Sequence, residues 1–176
     1  MITKNIKEKI KEYFFLYPSS KLRVRQIERT LNLSLPSVIR YCKELEREGI
    51  LRSVNVGGVR FYTASRNEKF FIEKRIFNIK KVFESGLINY LKINLHNPNI
   101  ILFGSYSRGE DLEDGDIDLY IETRSTKKIN LKVYEKKLRR KIHVFIYKNI
   151  EEVKNKNLAN NIINGIVLNG FVEVFK

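Results

Sequence analysis

One cysteine, three prolines and nine glycines are all that the 176 residues contain of these types. Cys42 alone supports neither a disulfide framework nor a multi-cysteine zinc site, and a lone thiol fits a reducing cytoplasm. Scarce Pro and Gly, with 43% hydrophobic and 31% charged residues, exclude collagen-like, mucin-like and low-complexity disordered classes. No apolar run approaches the roughly 18 residues that a membrane helix needs, so no membrane partner is expected. The first residues, MITKNIKEKIKEYFF, interleave charge throughout and lack the apolar stretch and cleavage site of a signal peptide. Acidic residues are also few. Twenty of them face 34 Lys and Arg, a net charge of +14 that favours polyanions or phosphate-rich ligands. Residues 1–65 hold 13 basic and 6 acidic side chains and are, per residue, the more basic part.

Spacing predicts a helix over 4–16, where Ile6, Ile10, Tyr13, Phe14 and Leu16 return at steps of three and four. Pro18, Ser19 and Ser20 stop it. A second short helix, about Val24 to Leu31, buries Val24, Ile27 and Leu31. Ser34 and Pro36 then open a third over 36–48, with Val38, Cys42 and Leu45 on one face and Gly49 at its end. Residues 50–54 and 60–64 alternate like strands, and Val56-Gly57-Gly58 between them signals a hairpin. Ser37, Arg40, Tyr41 and Lys43 lie off the buried stripe, free to meet phosphates or base edges, while Arg52 and Arg60 flank the hairpin tip. Cys42 is read as a small buried hydrophobe. The stretch SLPSVIRYCKELEREGILRS resembles the recognition helix and wing entry of winged-helix transcription factors. The resemblance implies a winged helix-turn-helix domain over residues 1–65 that binds duplex DNA; winged helices also serve as protein–protein modules.

Residues 66–96 read as one connecting helix whose single interior glycine is Gly86. Its apolar residues cover more than one stripe, as in a helix packed on two sides or in a homodimer contact.

The chemistry-bearing stretch follows. NIILF (99–103) is a short buried strand running into GSYSRG (104–109), a polar loop, and DIDLYIE (116–122). In a strand Asp116 and Asp118 share a face about 7 Å apart and repel unless a cation lies between them. Mg²⁺ commonly takes one or two carboxylates together with substrate phosphates. Gly104 permits close backbone approach, and Ser105 offers a hydroxyl and an amide at the start of a short helix. These parts suit a metal-bound triphosphate. Glu110, Asp111, Glu113 and Asp114 read as a solvated loop, and KKLRRK (136–141) as an outer helix face.

GS-YSR-G followed by D-I-D-L resembles the nucleotidyltransferase signature of the polymerase-beta-like superfamily, in its minimal nucleotidyltransferase branch. A helix at 131–140, the strand KIHVFIY (141–147), a helix from about Ile150 and the segment LANNIINGIVLNG extend the likeness toward small archaeal members that carry a winged helix in front. The implied fold class is α/β (α+β): a winged helix-turn-helix followed, over 66–176, by a nucleotidyltransferase fold with a small mixed sheet flanked by helices. By the resemblance, Gly104, Ser105, Arg108 and Gly109 bind the nucleotide, and Asp116 and Asp118 are catalytic and hold Mg²⁺. The reaction implied is transfer of a nucleoside monophosphate from an NTP, with ATP expected, to a hydroxyl, releasing pyrophosphate. Two positions depart from the pattern. Gly115 stands where Ser or Thr usually precedes the first Asp, and His143 stands where a third carboxylate is expected. His143 reads either as a catalytic base or as a strand residue half buried against the sheet. Transferases of this type resemble antitoxins that modify a HEPN-type RNase toxin, and a winged helix suits regulation of the protein's own operon. The alternative is a DNA-binding transcriptional regulator whose second domain binds nucleotide or dimerises without catalysis. A third is an RNA-directed transferase with the winged helix as a substrate clamp.

Overall fold

The computed structural model describes residues 6–173 and divides into two compact units, residues 1–77 and 78–176. The expected start of the first helix at residue 4 lies outside the described residues.

In the first unit, α1 (Ile6–Leu16) buries Ile10, Phe14 and Phe15. α2 (Val24–Leu31) buries Ile27 and stops at Asn32, whose left-handed backbone returns its N–H to Glu28. α3 (Leu35–Arg47) starts with Pro36 in its first turn, where no helical N–H is needed, and buries Val38, Cys42 and Leu45. β1 (Leu51–Val56) and β2 (Val59–Ala64) form an antiparallel hairpin closed between Val56 and Val59. Its two central glycines, Gly57 and Gly58, both take positive φ, as a tight turn matched to strand twist requires. Leu22 bridges Tyr62 of β2, tying the segment before α2 to the hairpin. One apolar core gathers all these elements, including Phe70 of α4 (Glu68–Glu84). Lys7 of α1 clamps α3 through Glu44 at 2.6 Å and Glu48 at 2.5 Å.

The single helix expected over 66–96 is two helices, α4 and α5 (Leu87–Asn94). Gly86 adopts φ +83° between them, and the Ser85 hydroxyl donates to Val82 O while accepting the Leu87 N–H. One glycine and one serine thus end one helix and begin the next. The two compact units divide at Phe77/Asn78, inside α4.

In the second unit, β3 (Asn99–Phe103) runs into the five-residue α6 (Gly104–Arg108), then β4 (Ile117–Glu122), α7 (Lys132–Leu138) and β5 (Ile142–Tyr147). A 3₁₀ turn at Ile150–Glu152, α8 (Lys156–Ile163) and β6 (Ile166–Asn169) complete it. The four strands lie in the order β5-β4-β3-β6, with β3 antiparallel to both neighbours and β4 parallel to β5. Alternation along β3 supplies two cores. Ile100 and Leu102 pack with Leu87, Leu91, Ile117 and Leu119 on one face. Ile101 and Phe103 pack with Tyr120, Ile150 and Ile162 on the other. The segment LANNIINGIVLNG is the end of α8 plus β6, an edge strand that spacing alone left unassigned.

Two expectations are corrected here. Asp111 is not solvated: it is 2% exposed and accepts from Asn78 Nδ2 at 2.9 Å. Arg140, in the run read as an outer helix face, is 8% exposed and lies 3.6 Å from Asp111 Oδ2. The pair brings the loop after α6 beside the turn into β5.

Candidate active site

The parallel pairing of β4 and β5 sets Asp118 in register with His143, and the antiparallel pairing of β3 and β4 sets Phe103 opposite Asp118. Gly104, next after Phe103, therefore meets the Asp118 side chain, and a Cβ there would overlap Asp118 Oδ2. Its φ of +75° is also one that side chains rarely adopt. Glycine at this position leaves the carboxylate its place.

Asp116, just ahead of β4, points the same way as Asp118. His143 lies between them, with Nε2 3.6 Å from Asp116 Oδ2 and Nδ1 3.6 Å from Asp118 Oδ1. These separations exceed hydrogen-bond length and leave the acceptor oxygens accessible. The His143 side chain is 52% exposed, so it is not packed into the sheet. Burial, with the charge of Asp116 reinforcing it, pushes the Asp118 carboxyl up, while His143 acts in the opposite direction. Further along the same face Tyr120 is buried and donates to Glu122 at 2.9 Å, closing the polar strip.

Around α6 the expected nucleotide residues divide. Ser105 is half-buried, and its hydroxyl has no protein hydrogen-bond partner among the described residues. Ser107, not singled out by spacing, donates to Gly104 O at 2.8 Å and braces the turn. Gly109 ends α6 with φ +75° and returns its N–H to Ser105 and Tyr106. Arg108 is exposed and bound to Glu110 at 2.7 Å. A cleft of about 460 Å³ opens beside Asp116, walled by Glu113, Glu135, Arg139 and Lys141 among others.

Two carboxylates on one face suit a hard cation that takes its remaining ligands from phosphate and water; the imidazole adds little to Mg²⁺. Among the described residues no group of three or more His, Cys, Asp or Glu could hold a metal ion by itself.

The residues expected on a nucleic-acid face are in the first unit. Arg40 stacks on Tyr41, its guanidinium 4.4 Å from the ring centroid, and donates to the Tyr41 hydroxyl at 2.6 Å. Ser37 hydrogen-bonds Ser34 at 2.8 Å, and Lys43 is exposed. Arg60 is held by Glu46 of α3 at 2.6 Å.

The Asn78–Asp111–Arg140 cluster was not legible in the sequence, because its members come from distant positions, Asn78 and Asp111 being 33 apart, and only folding joins them.

Residues 84–168 match the family model described as "Nucleotidyltransferase domain", a span that contains Gly104, Ser105, Asp116, Asp118 and His143. The match covers just under half of the chain and makes this part similar to that family. No curated protein and no solved structure matches the chain. No helix among the described residues is long and apolar enough to cross a membrane.

Proposed function

We propose that the protein transfers a nucleoside monophosphate from Mg-NTP, with ATP the expected donor, to a hydroxyl on a macromolecule. The observation that carries this reading is the convergence of Asp116, Asp118 and His143 beside Gly104, where a Cβ would overlap the Asp118 carboxylate. When bound, Mg²⁺ supplies charge neutralisation on the triphosphate oxygens, and Asp116 and Asp118 would hold it. Ser105, with its hydroxyl uncommitted, donates to a phosphate oxygen. Gly104 and Gly109 shape the turn, and Arg108 reaches a phosphate only by leaving Glu110. The acceptor oxygen attacks the α-phosphorus, the bond to the bridging β-phosphate oxygen breaks, and pyrophosphate leaves. His143, opposite Asp118, stands where a further carboxylate would help activate the acceptor, and its replacement by Asp tests which role that position has.

For the first unit, three helices, a glycine hairpin and the Leu22–Tyr62 bridge support a winged helix-turn-helix. In this reading Ser37, Arg40, Tyr41 and Lys43 face duplex DNA, and Arg60 stands on the wing. A cytoplasmic antitoxin that modifies a HEPN-type RNase and regulates its own operon combines both units. Exposed Ile72, Ile76 and Phe83 at helical spacing on α4 support a homodimer. A second reading is favoured by His143 itself: with no third carboxylate, the domain binds nucleotide without transfer and the protein is a DNA-binding regulator.

The test is incubation with α-labelled ATP, Mg²⁺ and a cell lysate. One macromolecule should acquire label with the parent protein and not with Asp118→Asn. Nucleotide binding without label transfer from any of the four NTPs would establish the regulator instead.

A further inference from the structure

We propose that the crossover from β4 to β5, residues 123–141, is a binding surface for the phosphate backbone of nucleic acid. The inference depends neither on the transfer reaction nor on the first unit, since every residue that carries it belongs to the second. These residues hold nine Lys and Arg against one acid, Glu135. They supply +8 of the net +14 in about a ninth of the chain.

Contacts inside the fold account for part of this charge. Arg140 lies beside Asp111, Lys137 donates to Ser85 O, and Lys127 donates to Asn94. Arg124, Lys128, Lys132, Lys136 and Lys141 are exposed and make no ion pair among the described residues. Glu135 pairs with none of them, and its carboxylate accepts the Ile142 N–H at 3.1 Å. Lys132 and Lys136 stand at i and i+4 on α7, a spacing at which like charges weaken a helix. A bound polyanion would relieve that crowding.

The spacing selects a polymer over a single phosphate. β4 and β5 pair parallel, so the crossover returns along the length of both strands. Lys141 stands at the Ile117 end, and Arg124 follows Thr123 at the Tyr147 end. The six residues of β4 put these ends roughly 20 Å apart. Lys128, Lys132 and Lys136 lie on the connection between them. A strand of duplex DNA carries one phosphate about every 3.4 Å, so that length faces about six phosphates.

The character of the surface selects nucleic acid among polyanions. Protein interfaces are built on buried aromatic or aliphatic anchors, and lysine is depleted in them. Here Leu131, Tyr134 and Leu138 pack into the core, and Val133, 60% exposed, is the one large apolar side chain of the crossover that is exposed. A membrane surface likewise requires an apolar helix face to insert. Tyr134 offers no open stacking platform, because the Tyr90 ring lies 5.0 Å away and the Lys137 ammonium sits 5.6 Å over it. Lysines without such anchors act as point charges for phosphate. Contacts of this kind hold a nucleic acid without reading its sequence.

The experiment measures binding of the full chain to mixed-sequence duplex DNA, duplex RNA and a single strand of each, across a salt series. Parent is compared with Lys128→Ala/Lys132→Ala/Lys136→Ala and with the same three lysines changed to arginine. Both sets are repeated in an Arg40→Ala/Lys43→Ala background, which disables the α3 face. All three lysines are exposed, and thermal unfolding of each variant verifies that it folds. Removing three phosphate contacts should lower the slope of log K against log salt by about 2 on single strands and about 3 on duplex DNA. Raising salt from 50 to 200 mM should then cost the alanine variant roughly tenfold less affinity, or better, than it costs the parent. The arginine variant should keep the parental slope, and the loss should persist in the α3-disabled background. The form that loses most is the form the surface holds. An alanine variant with parental affinity and slope on all four forms overturns the site, as does a parent that binds none of them. A loss that vanishes once Arg40 and Lys43 are replaced assigns the binding to the first unit and overturns it too. An equal loss of binding to poly-glutamate, or to vesicles of phosphatidylcholine and phosphatidylserine, overturns the choice of nucleic acid.

Discussion

Asp118 and His143 are direct register partners across the parallel β4–β5 pair, with His143 Nδ1 3.6 Å from Asp118 Oδ1. In the proposed transfer reaction the imidazole stands where a further carboxylate would complete a two-cation site, which leaves Asp116 and Asp118 as the carboxylates toward the nucleotide. Two charges hold one Mg²⁺ with a triphosphate well, but hold a second cation about 3.5–4 Å away poorly.

Transfer by the parent should therefore be slow, and His143→Asp should raise it on the order of tenfold or more if a missing charge is the cause. Single-turnover label transfer at fixed Mg²⁺ checks this. A lower rate in His143→Asp would instead make His143 the base, since general bases contribute about 10²–10⁴-fold.

Gly104→Ala should abolish nucleotide binding measured by titration calorimetry. The new Cβ would displace the Asp118 carboxylate, and a left-handed backbone strains any side chain. The strain costs about 1–2 kcal/mol, so the variant should still fold. Unchanged affinity would move the nucleotide away from the β3–α6 turn.

Arg140→Ala should destabilise the second unit by about 3–5 kcal/mol in a chemical-denaturation experiment. The substitution removes the cation beside Asp111, whose side chain is 1% exposed, and leaves a buried carboxylate held through Asn78. A change below about 0.5 kcal/mol would mean that the Asp111–Arg140 pair does not hold this loop.

Burial of Cys42, with Glu46 adding to it, pushes the thiol from an ordinary value near 9.0 up to about 12. The native protein should react slowly with a thiol reagent at pH 8 and fully once unfolded. The sign for stability follows. Below pH 9 neither state ionises, and between 9 and 12 only the unfolded thiol does. The thiol's contribution to stability should fall there by up to about 1.4 kcal/mol per pH unit, and Cys42→Ala should remove that share of the slope.

Local spacing carried much of the reading. Ile10, Phe14, Val38, Cys42 and Leu45 return at helical steps, and each is buried, because one face of an amphipathic helix must leave water. Gly57-Gly58 marks its hairpin because the turn needs two positive φ values, which glycine adopts at no steric cost. Asp116 and Asp118 share a face because side chains alternate along a strand. These relations extend over a few residues, so the sequence by itself determined them. Tertiary structure alone decided the rest. Asp111 is buried because Asn78 and Arg140 reach it from distant elements, and the sequence around it reads as polar loop. Arg60 faces the arginines of α2 because a hairpin folds back beside them. His143 stands between two carboxylates because β5 pairs parallel to β4 in one register. A shift of one residue would turn that imidazole to the opposite face, and pairing register is set by the packing of whole faces, which no local pattern contains.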